Sequence, residues 1–228
     1  MFTDMEKNET KIDSATRKIS GSPIIAAVIP CYREKDNISD VLNNIDNNIS
    51  HIIVIDDACP EKTGEFILNQ HNDTRIKIIT HKKNQGVGGA TITGYKEAIA
   101  LGADIIIKID GDGQMDPKMI GTLIKPILKG EADYTKGNRF YRLNGIKGMP
   151  KIRLLGNLLL SFASKMSSGY WKIFDPTNGF TAIHGKVAKE LELDKCSRDY
   201  FFESDMLFHL NISRAVVIDV PIQAIYGN

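Results

Sequence analysis

The sequence predicts an α/β domain with a mostly parallel central sheet and helices on both of its faces. Three observations predict it: apolar runs of strand length recur along the chain, helical patterns separate them, and polar residues follow where the runs end. Strands that alternate with helices form βαβ units, which place neighbouring strands parallel. Ligands of such sheets bind beyond the carboxyl ends of the strands, so we expect the functional site there.

The first half of the chain alternates continuous apolar runs with amphipathic segments. Consecutive apolar residues are typical of strands that are buried on both faces of a sheet. Between the runs, apolar residues recur at helical spacing. The predicted strands are 24–29, 51–55, 75–80 and 104–109, and the predicted helices begin after Asp36 and span 61–70 and 86–101.

The second half is less regular, and it contains no internal repeat, low-complexity run or linker. We therefore predict a single domain over 21–228. Residues 1–20 are polar and lack apolar periodicity, which predicts a disordered N-terminal tail. The predicted elements of this half are helices at 117–128, 154–166 and near 201–210, and strands at 133–136 and 215–220.

Composition excludes several classes of protein. Of the 228 residues, 42% are hydrophobic and 25% are charged, which is ordinary for a soluble globular domain. The net charge of +1 gives no overall field that would attract nucleic acid. Cys31, Cys59 and Cys196 form no CxxC pair, which indicates neither a disulfide framework nor a zinc cage and favours a reducing, cytoplasmic location. No stretch approaches the roughly 20 apolar residues of a membrane span.

An acidic, glycine-containing segment follows the fourth predicted strand. Asp110 and Asp112 stand two positions apart, so their carboxylates can converge on one cation, while the glycines beside them allow a tight turn. A hard divalent ion such as Mg²⁺ prefers oxygen ligands and often shares substrate phosphates, and Gln114 can add a neutral oxygen. The alternative is an acidic turn that caps the helix after Pro117.

A glycine-rich helix start and an aspartate at a strand end are candidates for contact with a nucleotide. Gly86, Gly88 and Gly89 open the third helix, where free N–H groups could hold a diphosphate. The dinucleotide-binding fingerprint needs a further glycine where the chain has Thr91, so close packing of the helix start on the sheet is an equal alternative. Asp57 could accept a hydrogen bond from a nucleobase or ribose, or it could cap a turn.

Charged side chains of the second half supply the remaining candidates. Arg139 and the basic loop after it, which includes Arg153, could clamp a phosphate or form a solvated charged loop. Asp175, Glu203 and Asp205 are candidate acids or bases. Glu203 and Asp205 also stand at a predicted helix start, where stabilisation by the helix dipole is a sufficient alternative.

Taken together, these segments resemble family-2 inverting glycosyltransferases. More narrowly, they are similar to the polyprenyl-phosphate glycosyltransferases related to dolichyl-phosphate mannose synthase. Each segment is weak alone, but the set keeps the order of that family and spans nearly all of the chain after Gly21. The segments are VIPCYRE (28–34), IIVIDDACP (52–60), NQGVGGA (84–90), IDGDGQMDP (109–117), KGNRF (136–140), DPTNGF (175–180) and FFESDML (201–207).

The resemblance implies an A-type glycosyltransferase fold and a metal-dependent, inverting transfer of a sugar from a nucleoside-diphosphate sugar to an undecaprenyl or dolichyl phosphate. It implies Mg²⁺ or Mn²⁺ as the cofactor, and attachment to the cytoplasmic face of a membrane. The apolar stretch 154–174 could lie in the membrane interface, or it could be an ordinary core helix.

The resemblance also implies roles for individual residues. The contacts to the nucleotide sugar are Pro30, Tyr32, Glu34, Asp57 and Asp110, to which the glycine-rich start adds Gly86. The metal ligands are Asp110, Asp112 and Gln114, and the acceptor-phosphate ligands are Arg139 and Arg153. The catalytic residues are Asp112 and Asp175, to which the hypothesis of a phosphate acceptor adds Glu203 as an orienting carboxylate.

Alternatives to this function are a transferase that acts on a glycan hydroxyl and a catalytically silent subunit that binds a nucleotide sugar. The first would need Glu203 or Asp205 as a general base. A sugar-phosphate nucleotidyltransferase is disfavoured because 30–34 is not the glycine-rich, arginine-bearing loop that it requires. The family usually has GSR where this chain has Gly-Asn-Arg at 137–139, which keeps the arginine. The sugar, the base and homo-oligomer formation stay open.

Overall fold

One mixed β-sheet organises the protein. The structure is a computed structural model, and it describes residues 19, 21–139 and 168–222. The strands are β1 (Ile25–Cys31), β2 (His51–Asp56), β3 (Ile76–Thr80), β4 (Ile105–Lys108), β5 (Tyr134–Asn138), β6 (Thr181–His184) and β7 (Val217–Pro221). The helices are α1 (Ile38–Asn43), α2 (Thr63–Gln70), α3 (Gly86–Ala100), α4 (Ile120–Leu128), α5 (Gly185–Glu190) and α6 (Phe202–Ile212).

The sheet is mostly parallel, as predicted. Within the described ranges its strand order is β3-β2-β1-β4-β6-β5-β7. β1 pairs in parallel with β2 and β4, β2 pairs in parallel with β3, and β5 pairs in parallel with β7. β1 is buried at all seven of its positions, which explains why its sequence is a continuous apolar run rather than an alternating one.

β6 is the exception, and sequence analysis did not predict it. This four-residue strand lies between β4 and β5 and is antiparallel to both. Its residues Thr181–His184 are buried, but two of the four are polar, so the segment lacks the apolar run that marked the other strands. The helix that follows it, α5, was not predicted either.

Helices cover both faces of the sheet, which confirms the predicted layers. One face carries α1, α2 and α4 through buried residues such as Ile38, Ile67 and Leu123. The other carries α3, α5 and α6 through Tyr95 and others. α3 lies so close to β1 that a Cβ at Gly94 would overlap the side chain of Val28, so glycine is required there.

The helix predicted at 117–128 begins with one 3₁₀ turn, Pro117–Met119, and continues as α4. Asp116 caps that turn by accepting a hydrogen bond from the backbone N–H of Lys118. The helix predicted at 154–166 and nearly all of the predicted tail lie outside the described residues. Of the helices described, none is both long and apolar enough to cross a membrane.

Candidate active site

A cavity of about 640 Å³ opens at the carboxyl ends of β1, β2 and β4. Because these strands are parallel, the residues that follow them meet at one edge of the sheet. The cavity is also lined by residues at and just before the start of α6, namely Asp199, Tyr200, Phe202 and Glu203. The residues predicted for the site that line this cavity are Pro30, Tyr32, Glu34, Asp57, Gly86, Asp110, Asp112 and Glu203.

Three of the lining carboxylates form an acidic cluster. Burial raises the pKa of Asp112, and the nearby charge of Asp110 adds to the shift. Burial also raises the pKa of Glu34, and the charge of Asp112 adds to it. Clustered carboxylate oxygens of this kind are the ligands that a hard divalent cation prefers. The donor set therefore fits Mg²⁺ or Mn²⁺.

Gln114 takes part in this segment through its backbone. Its N–H donates to the Oδ1 atom of Asp112 at 3.0 Å, which holds the acidic turn. The Gln114 side chain is exposed and lies outside the cavity lining. Its role as a metal ligand therefore stays a prediction.

A buried ionic network adjoins the acidic cluster, and sequence analysis missed it. Two of its members, Lys108 and Glu203, line the cavity. The Nζ atom of Lys108 lies 2.6 Å from Asp110 Oδ1 and 2.9 Å from Glu203 Oε1. The Nζ atom of Lys136 lies 3.3 Å from Glu203 Oε2. Burial alone would lower the pKa of Lys108, but Asp110 and Glu203 together raise it above the ordinary value. The one sequence signal was a lysine at the end of an otherwise apolar strand.

Arg139 and Asp175, both predicted for the site, form an ion pair outside the cavity lining. Asp175 is fully buried, and it accepts from Arg139 Nε at 2.8 Å and Nη2 at 3.0 Å in a fork-like arrangement. Asn178 donates to the same carboxylate at 3.3 Å. Neither Arg139 nor Asp175 lines the cavity. Arg153 lies outside the described residues, so its predicted role is untested.

Asp57 organises the loop that leads into α3. It accepts from the backbone N–H groups of Gln85 and Gly86 at 2.9 Å, and its Oδ1 atom lies 2.6 Å from Nδ1 of His81. Both carboxylate oxygens are therefore engaged, as the capping alternative expected. Asp57 still borders the cavity, so contact with a nucleotide stays a prediction.

The glycine-rich start of α3 packs against a loop rather than against the sheet. Gly89 N–H donates to the carbonyl oxygen of Arg198 at 3.0 Å. A Cβ at Gly88 would overlap the carbonyl oxygen of Ser197 and lie 2.8 Å from the carbonyl carbon of Arg198. Glycine is needed here because two backbones come into contact, and the joined loop carries Asp199 and Tyr200 into the cavity wall.

Comparison with protein families decides the class of enzyme. The model of glycosyl transferase family 2 matches residues 26–192. The chain belongs to this family. It is accordingly a glycosyltransferase. The acidic cluster of Glu34, Asp110 and Asp112 lies within the matched residues, whereas the cavity wall near the start of α6 follows them in the sequence.

Relatives of this glycosyltransferase include enzymes that act on lipid phosphates. The UDP-N-acetylglucosamine–dolichyl-phosphate N-acetylglucosaminyltransferase of Methanococcus voltae is 34% identical, over 89% of this chain and 86% of the relative. The undecaprenyl-phosphate mannosyltransferase of Micrococcus luteus is 25% identical, over 87% of this chain and 82% of the relative.

Solved structures confirm the A-type fold. Glucosyl-3-phosphoglycerate synthase from Mycobacterium tuberculosis, in complex with Mn²⁺, UDP and phosphoglyceric acid, superposes with a TM-score of 0.67. It is 19% identical, and the match covers 90% of this chain and 71% of that structure. At this identity the similarity shows the shared fold.

Replacing Gly88 by alanine tests the packing of the α3 start. We expect the free energy of unfolding to fall by about 1–3 kcal/mol, because the added methyl group must push the Ser197–Arg198 backbone away. Urea denaturation measures the change. Gly121→Ala is the matched control, since a Cβ at that α4 position meets no atom within 4 Å. Equal stability of the Gly88 variant and the control would refute the packing interpretation.

Proposed function

We propose that this glycosyltransferase moves a sugar from a nucleoside-diphosphate sugar to a polyprenyl phosphate, with inversion at the anomeric carbon and with Mg²⁺ or Mn²⁺ as cofactor. The donor binds in the cavity, with its diphosphate toward Asp110 and Asp112. The acceptor phosphate binds near Arg139. The names of the Methanococcus voltae and Micrococcus luteus relatives support this class of acceptor.

The proposal depends on one observation: each carboxylate that could act as a general base is already held by an ion pair or a hydrogen bond. Both oxygens of Glu203 face lysine ammonium groups, and Asp175 is clamped by Arg139. Asp205 accepts from the backbone N–H of Ser197 at 2.7 Å and lies outside the cavity lining. A glycan hydroxyl would need one of these carboxylates to take its proton. A phosphate acceptor needs no base, because its second pKa is about 6 and it is already ionised near neutral pH.

The transfer then balances without a proton step. An acceptor phosphate oxygen forms a bond to the anomeric carbon from the face opposite the leaving group. The bond from that carbon to the diphosphate oxygen breaks, and its electron pair leaves with the nucleoside diphosphate. A bound divalent ion would neutralise charge on that diphosphate. Asp175 binds the Nε and Nη2 edge of Arg139 and so fixes the position of the guanidinium charge, which attracts the acceptor phosphate.

Exposed aromatic side chains beside the Arg139–Asp175 pair suit a lipid substrate. Trp171 is 60% exposed and Phe174 is 58% exposed, and Phe174 directly precedes Asp175. A polyprenyl phosphate presents a charged head and a long apolar tail, so a fixed arginine next to exposed aromatic surface matches both parts. We propose accordingly that the enzyme works at the cytoplasmic face of a membrane.

Extraction of a lipid-linked product tests the proposal. A thermal-shift panel of nucleotide sugars with and without Mn²⁺ selects the donor, starting with UDP-N-acetylglucosamine and then mannose donors, since bound ligand raises the melting temperature. The enzyme is then incubated with radiolabelled donor, undecaprenyl phosphate and Mn²⁺. We expect label in the organic phase that requires both the acceptor and the metal, with the opposite anomeric configuration to the donor by NMR.

Two other results would contradict the proposal. Label on a lengthened oligosaccharide, with none on the lipid, would identify a glycan hydroxyl as the acceptor. A donor that binds and raises the melting temperature without transfer to any acceptor would indicate a silent binding subunit.

A further inference from the structure

A continuous chain of polar contacts runs through the protein from the donor side of the site to the acceptor side. It starts at Asp110, which contacts Lys108, and passes through Glu203 to Lys136. Lys136 Nζ donates to the carbonyl oxygen of Asn178 at 2.6 Å. The Asn178 side chain then donates to Asp175, which holds Arg139.

The middle of this chain of polar contacts is almost fully shielded from water. The side chains of Lys108, Lys136 and Glu203 are 1%, 0% and 9% exposed. A buried charge is costly unless it is paired and hydrogen-bonded, and this pairing fixes its position. Because each oxygen of Glu203 meets a different lysine, the carboxylate sets the separation between the two ammonium groups.

The backbone between the two sides is held by the same ammonium groups. Lys136 binds the carbonyl of Asn178, and Lys108 lies 3.4 Å from the carbonyl of Gly179. A Cβ at Gly179 would overlap Asp110 and lie 2.5 Å from Lys108 Nζ. The loop that carries Asp175 therefore rests directly on the donor-side residues.

We propose that Lys108 and Lys136, joined through Glu203, are positioning residues that set the distance between the donor diphosphate and the acceptor phosphate. This inference rests on the proposed function, because it requires two anionic substrates in one site. Lys108 fixes Asp110 on the donor side, and Lys136 fixes the loop of Asp175 and Arg139 on the acceptor side. Misplacement of reacting groups by about 1 Å can cost about 100-fold in rate, so the effect belongs in kcat.

Two variants interrupt this chain of polar contacts on opposite sides of Glu203. Lys108→Met releases Asp110 but leaves Glu203 paired with Lys136, and Lys136→Met does the reverse. The measured quantities are kcat, KM for donor and acceptor, and the number of sites that bind UDP or GDP with Mn²⁺, whichever nucleotide the panel selects. Expressing kcat per nucleotide-binding site removes any unfolded fraction. Lys77→Met is the matched control, because that lysine pairs with Glu97 at the surface and is 53% exposed.

We expect each variant to lose about 100-fold in kcat per site, with both KM values and nucleotide affinity within about threefold of wild type. The Lys77 control should keep its kcat. If Lys108→Met does not fold, Lys108→Arg carries the same test, since it keeps the buried charge but replaces one ammonium by a planar fork. We expect the arginine variant to show the same loss in kcat.

Three outcomes would overturn the inference. A kcat per site within threefold of wild type in both variants would show that the network only stabilises the fold. A loss that appears in KM or in nucleotide affinity, with kcat retained, would make the lysines binding residues instead. Absence of lipid-linked product from the wild-type enzyme would overturn the proposed function, and this inference with it.

Discussion

Replacing Asp112 by asparagine is expected to lower the rate of sugar transfer about 1000-fold while the protein stays folded. Asparagine keeps an oxygen that can accept from Gln114 N–H, so the turn is preserved, but the charge is lost. A divalent ion on the leaving diphosphate supplies several kcal/mol of stabilisation to the transition state, and each 1.36 kcal/mol is tenfold in rate. Initial rates at saturating donor over a range of Mn²⁺ concentrations measure the effect.

The same variant gives a second readout that does not depend on activity. Because burial raises the pKa of Asp112, its charged form costs the folded state stability at neutral pH, and asparagine removes that cost. The metal-free variant should therefore melt at or slightly above the wild-type temperature. The further rise in melting temperature that Mn²⁺ adds to the effect of nucleotide should appear in the wild type but not in the variant.

Asp116→Asn is the matched control, because asparagine caps a helix as well as aspartate does and Asp116 contacts Lys118 rather than the cavity. Its rate should stay within about twofold of wild type, since the cap is kept and the side chain lies outside the cavity lining. Turnover close to wild type in the Asp112 variant would contradict the metal assignment.

Gly179→Ala is expected to have the second largest effect, a loss of about 100-fold in turnover together with about 1–3 kcal/mol of stability. The new Cβ would overlap Asp110 Oδ2 and crowd Lys108 Nζ, so Asp110 must move away from the donor. Asp110 is attached to backbone that cannot shift freely, because Gly111 lies against Cys31 and Glu34.

Gly121→Ala again serves as the control, and it should keep full activity with unchanged or slightly higher stability. Steady-state kinetics and urea denaturation of the two variants measure both effects. Wild-type kinetics in Gly179→Ala would mean that the 178–179 backbone has room to move and does not fix Asp110.

The strands of the parallel half could be predicted because burial on both faces leaves a direct mark on the sequence. β1 and β2 are runs of apolar residues for that reason, and the polar residues after them are the ones that reach the cavity. β6 has no such mark. It is four residues long, and its place between β4 and β5 depends on contacts with residues far away in the sequence.

The buried network could not be predicted for a related reason. Lys108 gives one weak signal, a cation at the end of an apolar strand, but its partner Glu203 lies far along the chain. Glu203 itself was proposed as a catalytic residue, with helix-dipole stabilisation as the alternative. It does lie in the first turn of α6, but neither interpretation predicted its two lysine partners. When two charged residues pair across a long stretch of sequence, the residues around each of them carry no pattern that would predict the pairing.

The position of β6 has a consequence for how the chain folds during synthesis. The parallel unit β3-β2-β1-β4 is complete once residue 108 has emerged from the ribosome, but the β4 edge has no partner until residues 181–184 follow. Unpaired strand edges invite association with other chains, and late, non-local strand pairing is slow. We therefore expect partly synthesised chains that end between residues 108 and 181 to aggregate. Because the wall of the cavity includes Glu203, we also expect the cavity to form only near the end of translation.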